Sequence, residues 1–170
     1  IACLVGSEMC IRDRWNALKL LNSNGEFLHP EEVQKVIKET KRTQSNKEKP
    51  GNLSSYANAL DDHINLILSQ NFINKNNIAS KSMAVAVDGI NSVGGVAIPK
   101  FLESLGIKKI KKINCNPDGN FNHNPEPLPE NITDLCSEVK KGKYQLGIVV
   151  DPDADRLVLV DERGEPFGEE

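Results

Sequence analysis

The chain has 170 residues, enough for one domain or for one domain and part of another. Its 21 lysines and arginines and 24 aspartates and glutamates give a net charge of −3, which does not indicate binding to nucleic acid or to an anionic membrane. No apolar run approaches the length of a membrane span. The four cysteines show no C-x-x-C spacing, which fits a reducing, cytoplasmic environment.

Residues 1–14 differ in character from the rest of the chain. The run from Val5 to Arg14 is similar to a translated sequencing adapter, so we expect residues 1–14 to be a non-native leader that contributes nothing to the fold. The alternative interpretation is a genuine short strand and loop.

The next segments predict a hairpin, a helix and a linker. An apolar run is followed by Asn-Ser-Asn-Gly at 22–25, which indicates a tight turn between two strands. Pro30 and the two glutamates after it favour the start of a helix, which should run to about Lys41. Residues 43–55 are polar and contain Pro-Gly, which is typical of a linker. A second helix is predicted at 56–68.

From about residue 82 the pattern predicts the order β-α-β-α-β-β. This order argues for an α/β fold, a three-layer α/β/α domain with a mixed sheet. Gly142 is expected to end the second helix of this part. The hairpin and helix before residue 82 cannot form a core alone, so we predict that they are the tail of another α/β domain. The predicted strands are 84–87, 110–115, 146–150 and 157–160, and the predicted helices are 96–105 and 131–140.

Two segments of this domain each allow two interpretations. The glycine-rich turn between Gly89 and Gly95 joins a strand to a helix, and it could hold a phosphate with free N–H groups. It could instead serve close packing of strand on helix, which needs small residues, and this second interpretation is favoured because the turn matches neither known phosphate-binding motif. His123 lies in the long loop at 116–129, where it could be a general acid or a hydrogen-bonding loop residue.

An acidic loop follows the most apolar strand. Asp151, Asp153 and Asp155 alternate directly after 146–150, and Pro152 should end regular strand pairing there. The three carboxylates can therefore converge on one point. They would raise one another's pKa unless a cation lies among them, and their hard oxygen ligands suit Mg²⁺ better than zinc or copper.

This loop has three interpretations. It could be a solvated acidic turn. It could be a calcium loop of EF-hand type, with Glu162 at the twelfth place, although such a loop needs glycine where Arg156 stands and needs helices on both sides. It could also be a Mg²⁺ site beside a phosphate, with the planar guanidinium of Arg156 as the partner of the phosphate.

Three motifs carry a resemblance to one enzyme family. The sequence Asp-Pro-Asp-Ala-Asp-Arg at 151–156 resembles the metal-binding loop of the α-D-phosphohexomutases, which include phosphoglucomutase, phosphomannomutase and phosphoglucosamine mutase. Residues 164–170 are similar to the hairpin and helix start that follow it. The run Asn-Ala-Leu-Lys at 16–19 resembles the Asn-Gly-x-Lys run of the family, with Ala17 in place of glycine.

The resemblance implies roles for individual residues. It implies that Asp151, Asp153 and Asp155 hold Mg²⁺, with a phosphoserine of the first domain completing the metal's ligands. It further implies that Arg156 neutralises the phosphate and that Lys19 lies near it and assists proton transfer. Ser7 lacks the sequence context of the family's serine, so the phosphoserine is assigned to no residue here.

The resemblance also implies a reaction and a domain arrangement. The parent enzyme would transfer a phosphoryl group between C6 and C1 of a glucosamine, mannose or glucose phosphate, through a bisphosphorylated sugar. Residues 15–45 would be the end of domain I, 46–81 a linker and connecting helix, and 82–170 domain II. The chain is then expected to be a fragment, inactive without the remaining domains of its parent.

Two other functions remain open. A phosphatase of the haloacid-dehalogenase type would use Asp151 as nucleophile and Asp153 as acid, since its two aspartates have this spacing. It would also need serine or threonine and lysine motifs downstream. A non-enzymatic metal-binding module is the second alternative.

Overall fold

The computed structural model describes residues 3–7, 18–42, 52 and 54–167, and it divides into two compact units. The first unit extends to Tyr56 and the second begins at Ala57. The side chains of 3–7, 18–19 and 41–42 lie outside this description. None of the helices in the described part of the chain has the length and apolar character to cross a membrane.

The first unit contains a two-stranded antiparallel sheet. Strand β1 (Cys3–Ser7) pairs with strand β2 (Leu18–Leu21). After β2 the chain reverses through the predicted turn, where Gly25 has a φ of 81° and Leu21 bridges to Phe27. A positive φ costs glycine little, which explains its place in this turn. The predicted hairpin is confirmed.

Strand β1 lies inside the segment that the sequence analysis expected to be non-native. Its pairing with β2 agrees with the alternative, a genuine short strand and loop. The non-native leader at residues 1–14 stays a prediction.

Helix α1 (Pro30–Arg42) is the helix in the described part of the first unit. Its start follows the predicted signals, with Glu31 and Glu32 in the first turn. The side chain of Glu32 also accepts a hydrogen bond of 2.9 Å from the backbone N–H of His29, which stabilises the helix terminus. The predicted linker at 43–55 lies largely outside the described residues.

A four-stranded mixed sheet forms the centre of the second unit. Its strand order is β4-β3-β5-β6. Strand β3 pairs in parallel with β4 and β5, whereas β6 is antiparallel to β5. The predicted mixed sheet is therefore confirmed. The strands are β3 (Ala84–Asp88), β4 (Lys109–Ile113), β5 (Leu146–Val150) and β6 (Leu157–Val160).

Helices cover both faces of this sheet. Alternate residues of each strand point to opposite sides, so the apolar strands present side chains to helices on both faces. Val85 and Val87 pack on one face with side chains of α4, whereas Ala86 and Val149 pack on the other with α5. This arrangement confirms the predicted three-layer α/β/α fold. The helices are α2 (Ala59–Leu68), α3 (Lys75–Ser80), α4 (Gly94–Ser104) and α5 (Thr133–Gly142).

Two of these helices lie in the segment that was expected to be a connection. Leu68 of α2 and Ile78 of α3 pack against the same apolar cluster as α4. The second unit thus begins at Ala57, earlier in the chain than the boundary expected at residue 82. The assignment of the first unit to a preceding domain I stays a prediction.

Candidate metal centre

The acidic loop is the connection between two antiparallel strands. Val150 of β5 pairs with Leu157 of β6, so residues 151–156 alone must reverse the chain. Ala154 takes a left-handed φ of 59°, and its N–H donates a 3.0 Å hydrogen bond to the carbonyl of Asp151. This tight reversal turns the alternating aspartates toward one point.

The three aspartates converge as predicted. One carboxylate oxygen from each of Asp151, Asp153 and Asp155 lies within 4.8 Å of the others. Asp151 is buried, Asp153 half-buried and Asp155 exposed, so the cluster opens from the sheet edge to solvent. It is the one such group of metal-ligating side chains among the described residues. Its all-oxygen ligands fit a hard divalent cation.

Asp151 lies deepest in the loop, with 1% of its surface exposed. Both of its carboxylate oxygens accept hydrogen bonds from Arg156, one from the backbone N–H at 3.0 Å and one from Nε at 2.8 Å. Burial raises the pKa of Asp151, the bonds from Arg156 act against this, and the neighbouring carboxylate of Asp155 raises the pKa again. A cation beside these two carboxylates would relieve their repulsion.

Arg156 has further acidic neighbours. Its Nε lies 3.8 Å from the carboxylate of Asp155, and its Nη1 lies 3.5 Å from Oε1 of Glu126. About half of its side chain, 51%, is exposed. The guanidinium therefore stands at the open side of the aspartate cluster, where it can attract an anion from solvent.

The glycine-rich turn supports the acidic loop from the neighbouring strand. The hydroxyl of the buried Ser92 donates a 2.6 Å hydrogen bond to the carbonyl of Pro152. A Cβ on Gly94 would lie 2.2 Å from Cγ2 of Val150, and one on Gly89 would lie 2.3 Å from the backbone of Gly95. Close packing of strand on helix thus explains these glycines, which is the second of the two interpretations.

His123 is held by a buried carboxylate. Its Nε2 lies 3.2 Å from Oδ2 of Asp88, which is fully buried at the end of β3, and its Nδ1 donates to the carbonyl of Asn124. The hydrogen bond to Asp88 raises the pKa of His123, against the effect of partial burial. These contacts support the interpretation of His123 as a hydrogen-bonding loop residue.

The structure bears on two of the three interpretations of the acidic loop, and the Mg²⁺ site stays a prediction. A strand lies on each side of 151–156, not a helix, so the EF-hand interpretation is wrong. The burial of Asp151 argues against a merely solvated turn. Lys19 lies in β2 of the first unit with its side chain outside the description, so its role stays a prediction.

Three residues that contact this region were not singled out as site residues from the sequence. They are Ser92, Glu126 and Asp88. The sequence did carry a signal for Asp88. Parallel strands place their carboxyl ends at one edge of a sheet, and Asp88 ends the strand next to the one that Asp151 follows, so the two aspartates could be expected at the same edge. No local pattern marked Glu126 as a partner of Arg156.

Comparison with known proteins agrees with this geometry. Residues 55–164 match the family model described as "Phosphoglucomutase/phosphomannomutase, alpha/beta/alpha domain II", which covers more than half of the chain. The chain belongs to the phosphoglucomutase/phosphomannomutase family. The match includes the whole acidic loop and both strands beside it.

Individual relatives carry names from the same family. The "probable phosphoglucosamine mutase" of Methanococcoides burtonii is 34% identical over 152 residues, which are 87% of this chain and 33% of that protein. The phosphomannomutase/phosphoglucomutase of Pseudomonas aeruginosa is 44% identical over 87 residues, 50% of this chain and 19% of that protein.

A solved structure supports the fold. The structure described as a putative phosphomannomutase from Thermus thermophilus matches with a TM-score of 0.71 and 19% identity, over 98% of this chain and 37% of that one. The match to the M. burtonii and T. thermophilus proteins extends over most of this chain. It covers only about a third of the length of each of those proteins.

Proposed function

We propose that the protein to which this chain belongs is a phosphohexomutase, which transfers a phosphoryl group between C6 and C1 of a hexose phosphate. One observation carries the proposal: three aspartate carboxylates converge within 4.8 Å at the end of a buried strand, and an arginine follows them directly. The names of the relatives, which are glucosamine, mannose and glucose phosphate mutases, support the substrate class.

The ion in this proposal is Mg²⁺, held by Asp151, Asp153 and Asp155. Carboxylate oxygens suit a small hard cation, and the pKa of Asp151 is raised chiefly by burial and further by the carboxylate of Asp155, whose repulsion a bound cation would relieve. When bound, Mg²⁺ supplies Lewis-acid chemistry that neutralises and orients the transferring phosphoryl group. The ion would thus contribute charge neutralisation, the main requirement of phosphoryl transfer.

The residues of the chain would contribute positioning and charge. Arg156 presents a partly exposed guanidinium beside the aspartates, and it would stabilise the negative charge on the phosphate. Lys19 would assist proton transfer, as the family resemblance implies. A phosphoserine would be the phosphoryl donor, and the remaining domains would orient the sugar and exclude water.

A cytoplasmic location belongs to the proposal. Cys115 and Cys136 are both free thiols, which is usual for proteins of a reducing compartment.

The test uses the complete reading frame recovered from the source nucleic acid. The purified full-length protein would be incubated with glucosamine, mannose or glucose 1-phosphate and a trace of the matching bisphosphate, and the products followed by ³¹P NMR. We expect a 6-phosphate to form from at least one sugar. Asp153→Asn should abolish turnover, because the ion's charge would no longer be held where phosphoryl charge develops.

The same spectra test the alternative chemistry. Release of inorganic phosphate without isomerisation, lost in Asp151→Asn, would contradict the mutase and support a phosphatase with Asp151 as nucleophile. The 170-residue chain alone should show neither activity, since ion binding without an aligned donor and acceptor provides little of the barrier reduction.

A further inference from the structure

Arg156 is contacted by carboxylates from two different parts of the fold. Asp151 and Asp155 belong to its own loop, at 2.8 and 3.8 Å from Nε. Glu126 belongs to the loop between β4 and α5, and it approaches Nη1 at 3.5 Å. Nε and Nη1 are different atoms of a rigid planar group, so contacts at both restrict the rotation of the guanidinium.

The backbone of Glu126 is fixed on both sides. Its carbonyl accepts hydrogen bonds from the side chain of Asn131 at 2.9 Å and from the N–H of Leu128 at 2.8 Å. Its own N–H donates to the side chain of Asn124 at 3.2 Å. The carboxylate of Glu126 therefore extends from a defined point of the loop toward Arg156.

The same loop is attached to the sheet by a buried charge. Asp88 accepts hydrogen bonds from the backbone N–H of Ile90 and from the side chain of Asn114, and its Oδ2 contacts His123. His123 precedes Glu126 by three residues. Because Asp88 is fully buried at the end of β3, it ties the loop to the rigid centre of the unit.

We infer that Glu126 is a positioning residue for the guanidinium of Arg156, and that the Asp88–His123 pair holds the loop that carries it. The inference deepens the proposed function, because it rests on 151–156 being the metal loop and on Arg156 acting at the phosphate. The carboxylates of the acidic loop contact Arg156 at Nε, whereas Glu126 contacts Nη1. The second loop therefore sets the direction of the phosphate-binding group.

This arrangement has a consequence for cation binding. The guanidinium of Arg156 competes with a divalent ion for the carboxylates of Asp151 and Asp155, since both lie close to its Nε. Glu126 attracts the guanidinium from the other side. Without the carboxylate of Glu126, the guanidinium of Arg156 is attracted by Asp151 and Asp155 alone. It should then compete more strongly for these two carboxylates, and the divalent ion should bind more weakly.

A double-mutant cycle on the 170-residue chain tests this coupling. Mn²⁺ alone, detected by electron paramagnetic resonance, would be titrated into the unchanged chain, Glu126→Gln, Arg156→Gln and the double variant. Glu126→Gln should weaken Mn²⁺ binding by about two- to fivefold, the range expected for a partly exposed ion pair. In the Arg156→Gln background the effect of Glu126→Gln should vanish.

Glu130 supplies a matched control for charge. It is an exposed glutamate four residues beyond Glu126 in the same loop, so Glu130→Gln makes the same change in net charge. It should leave Mn²⁺ affinity unchanged. If Glu126→Gln weakened binding equally with and without Arg156, or if Glu130→Gln matched it, the effect would be one of general charge and the inference would be overturned.

A second measurement needs no metal. In ¹⁵N NMR spectra of the chain, restrained rotation gives Arg156 distinct Nη signals beside its Nε signal. Glu126→Gln should merge or broaden the Nη signals and keep the Nε signal, because Asp151 still accepts from Nε. His123→Ala should have the same effect, through the loop. Nη signals that are unchanged in Glu126→Gln would overturn the positioning role, and signals unchanged in His123→Ala would overturn the anchoring role.

The two measurements separate this inference from the proposed function. If the chain bound no Mn²⁺ but the Nη signals of Arg156 still merged in Glu126→Gln, the proposal that 151–156 binds a metal would be contradicted. The positioning of Arg156 by Glu126 would then still be supported. A chain that bound Mn²⁺ with no coupling between Glu126 and Arg156 would keep the metal loop and contradict the positioning.

Discussion

Replacement of Asp88 by asparagine would test whether its buried carboxylate holds the loop between β4 and α5 in place, through His123. The carboxylate accepts hydrogen bonds of 3.0 Å from Ile90 N–H and of 3.2 and 3.1 Å from Asn114, and it lies 3.2 Å from Nε2 of His123. Asp88→Asn keeps the shape but leaves one carbonyl oxygen, and it turns an amide donor toward other donors. A hydrogen bond to a charged group contributes about 1.5–3 kcal/mol.

We therefore expect Asp88→Asn to lower the free energy of unfolding by about 2–3 kcal/mol. For a unit of this size that is a fall in Tm of roughly 10 °C. Denaturant unfolding and calorimetry would measure both values. The control is Glu130→Gln, which removes an exposed carboxylate of the same loop and should change the Tm by less than about 2 °C.

The loss should depend on pH in a defined direction. Both nitrogens of His123 face acceptors, the carbonyl of Asn124 and the carboxylate of Asp88, and only the protonated ring can donate to both. The pKa of His123 is raised above 6.5 in the folded chain, chiefly by the hydrogen bond to Asp88. Its protonated form therefore stabilises the fold fully below about pH 6.5, and this contribution is lost as the pH rises through the raised pKa.

In Asp88→Asn the main cause of the raised pKa is removed. The neutral ring can then donate from Nδ1 to Asn124 and accept at Nε2 from the new amide, so the pKa of His123 should fall. The difference in stability between the unchanged chain and the variant should be largest at about pH 6 and smaller at about pH 8.5. An equal His123 pKa in both proteins by NMR, or a stability difference independent of pH, would refute this reasoning.

Three further predictions concern the core, the loop support and the first residues. Leu135→Ala should cost about 3–5 kcal/mol in denaturant unfolding, because Leu135 is fully buried between α5 and the sheet; a cost below about 1 kcal/mol would contradict that packing. Ser92→Ala should weaken Mg²⁺ binding in calorimetry and lower stability by about 1–2 kcal/mol, since the carbonyl of Pro152 loses its partner; unchanged affinity would show that the loop needs no such support. Deleting residues 1–14 should leave the Tm of the second unit unchanged in calorimetry, because the pairing of β1 with β2 belongs to the first unit; a fall of several degrees would show that the segment also stabilises the second unit.

Much of the fold could be predicted because its signals are local. The strands Ala84–Asp88 and Leu146–Val150 are short apolar runs ending at aspartate or just before it. Helices α4 and α5, which follow β3 and β4, bury apolar side chains such as Leu102 and Leu135. The convergence of the three aspartates followed from their alternate spacing and from Pro152. These features depend on neighbouring residues alone, so the sequence displays them directly.

The contacts that hold the site together could not be predicted in the same way. Asp88 and His123 are 35 residues apart, and Ser92 and Pro152 are 60 apart. No local periodicity links such pairs, because the sheet and its connecting loops bring them together. The partnership of Glu126 with Arg156 depends on the path of a loop that has no regular structure.

One helix end shows a conflict between local and tertiary demands. Gly142 was expected to end α5, and the helix does end there, but the left-handed residue is the next one, Lys143, with a φ of 54°. A Cβ on Gly142 would lie 2.1 Å from the ring of Tyr144, so this glycine makes room for an aromatic side chain. The expected helix end is therefore confirmed, and the left-handed turn follows one residue later.

The central claim is that Asp151, Asp153 and Asp155 form a divalent-cation site. It is tested most directly by calorimetric titration of the 170-residue chain with Mg²⁺ and with Ca²⁺, beside Asp153→Asn and the control Glu130→Gln. The account predicts weak, saturable Mg²⁺ binding that is lost in Asp153→Asn and kept in Glu130→Gln. The binding is expected to be weak because the phosphoserine that would complete the metal's ligands is assigned to no residue of this chain. Absence of Mg²⁺ binding, binding unchanged in Asp153→Asn, or a sub-micromolar preference for Ca²⁺ would contradict it.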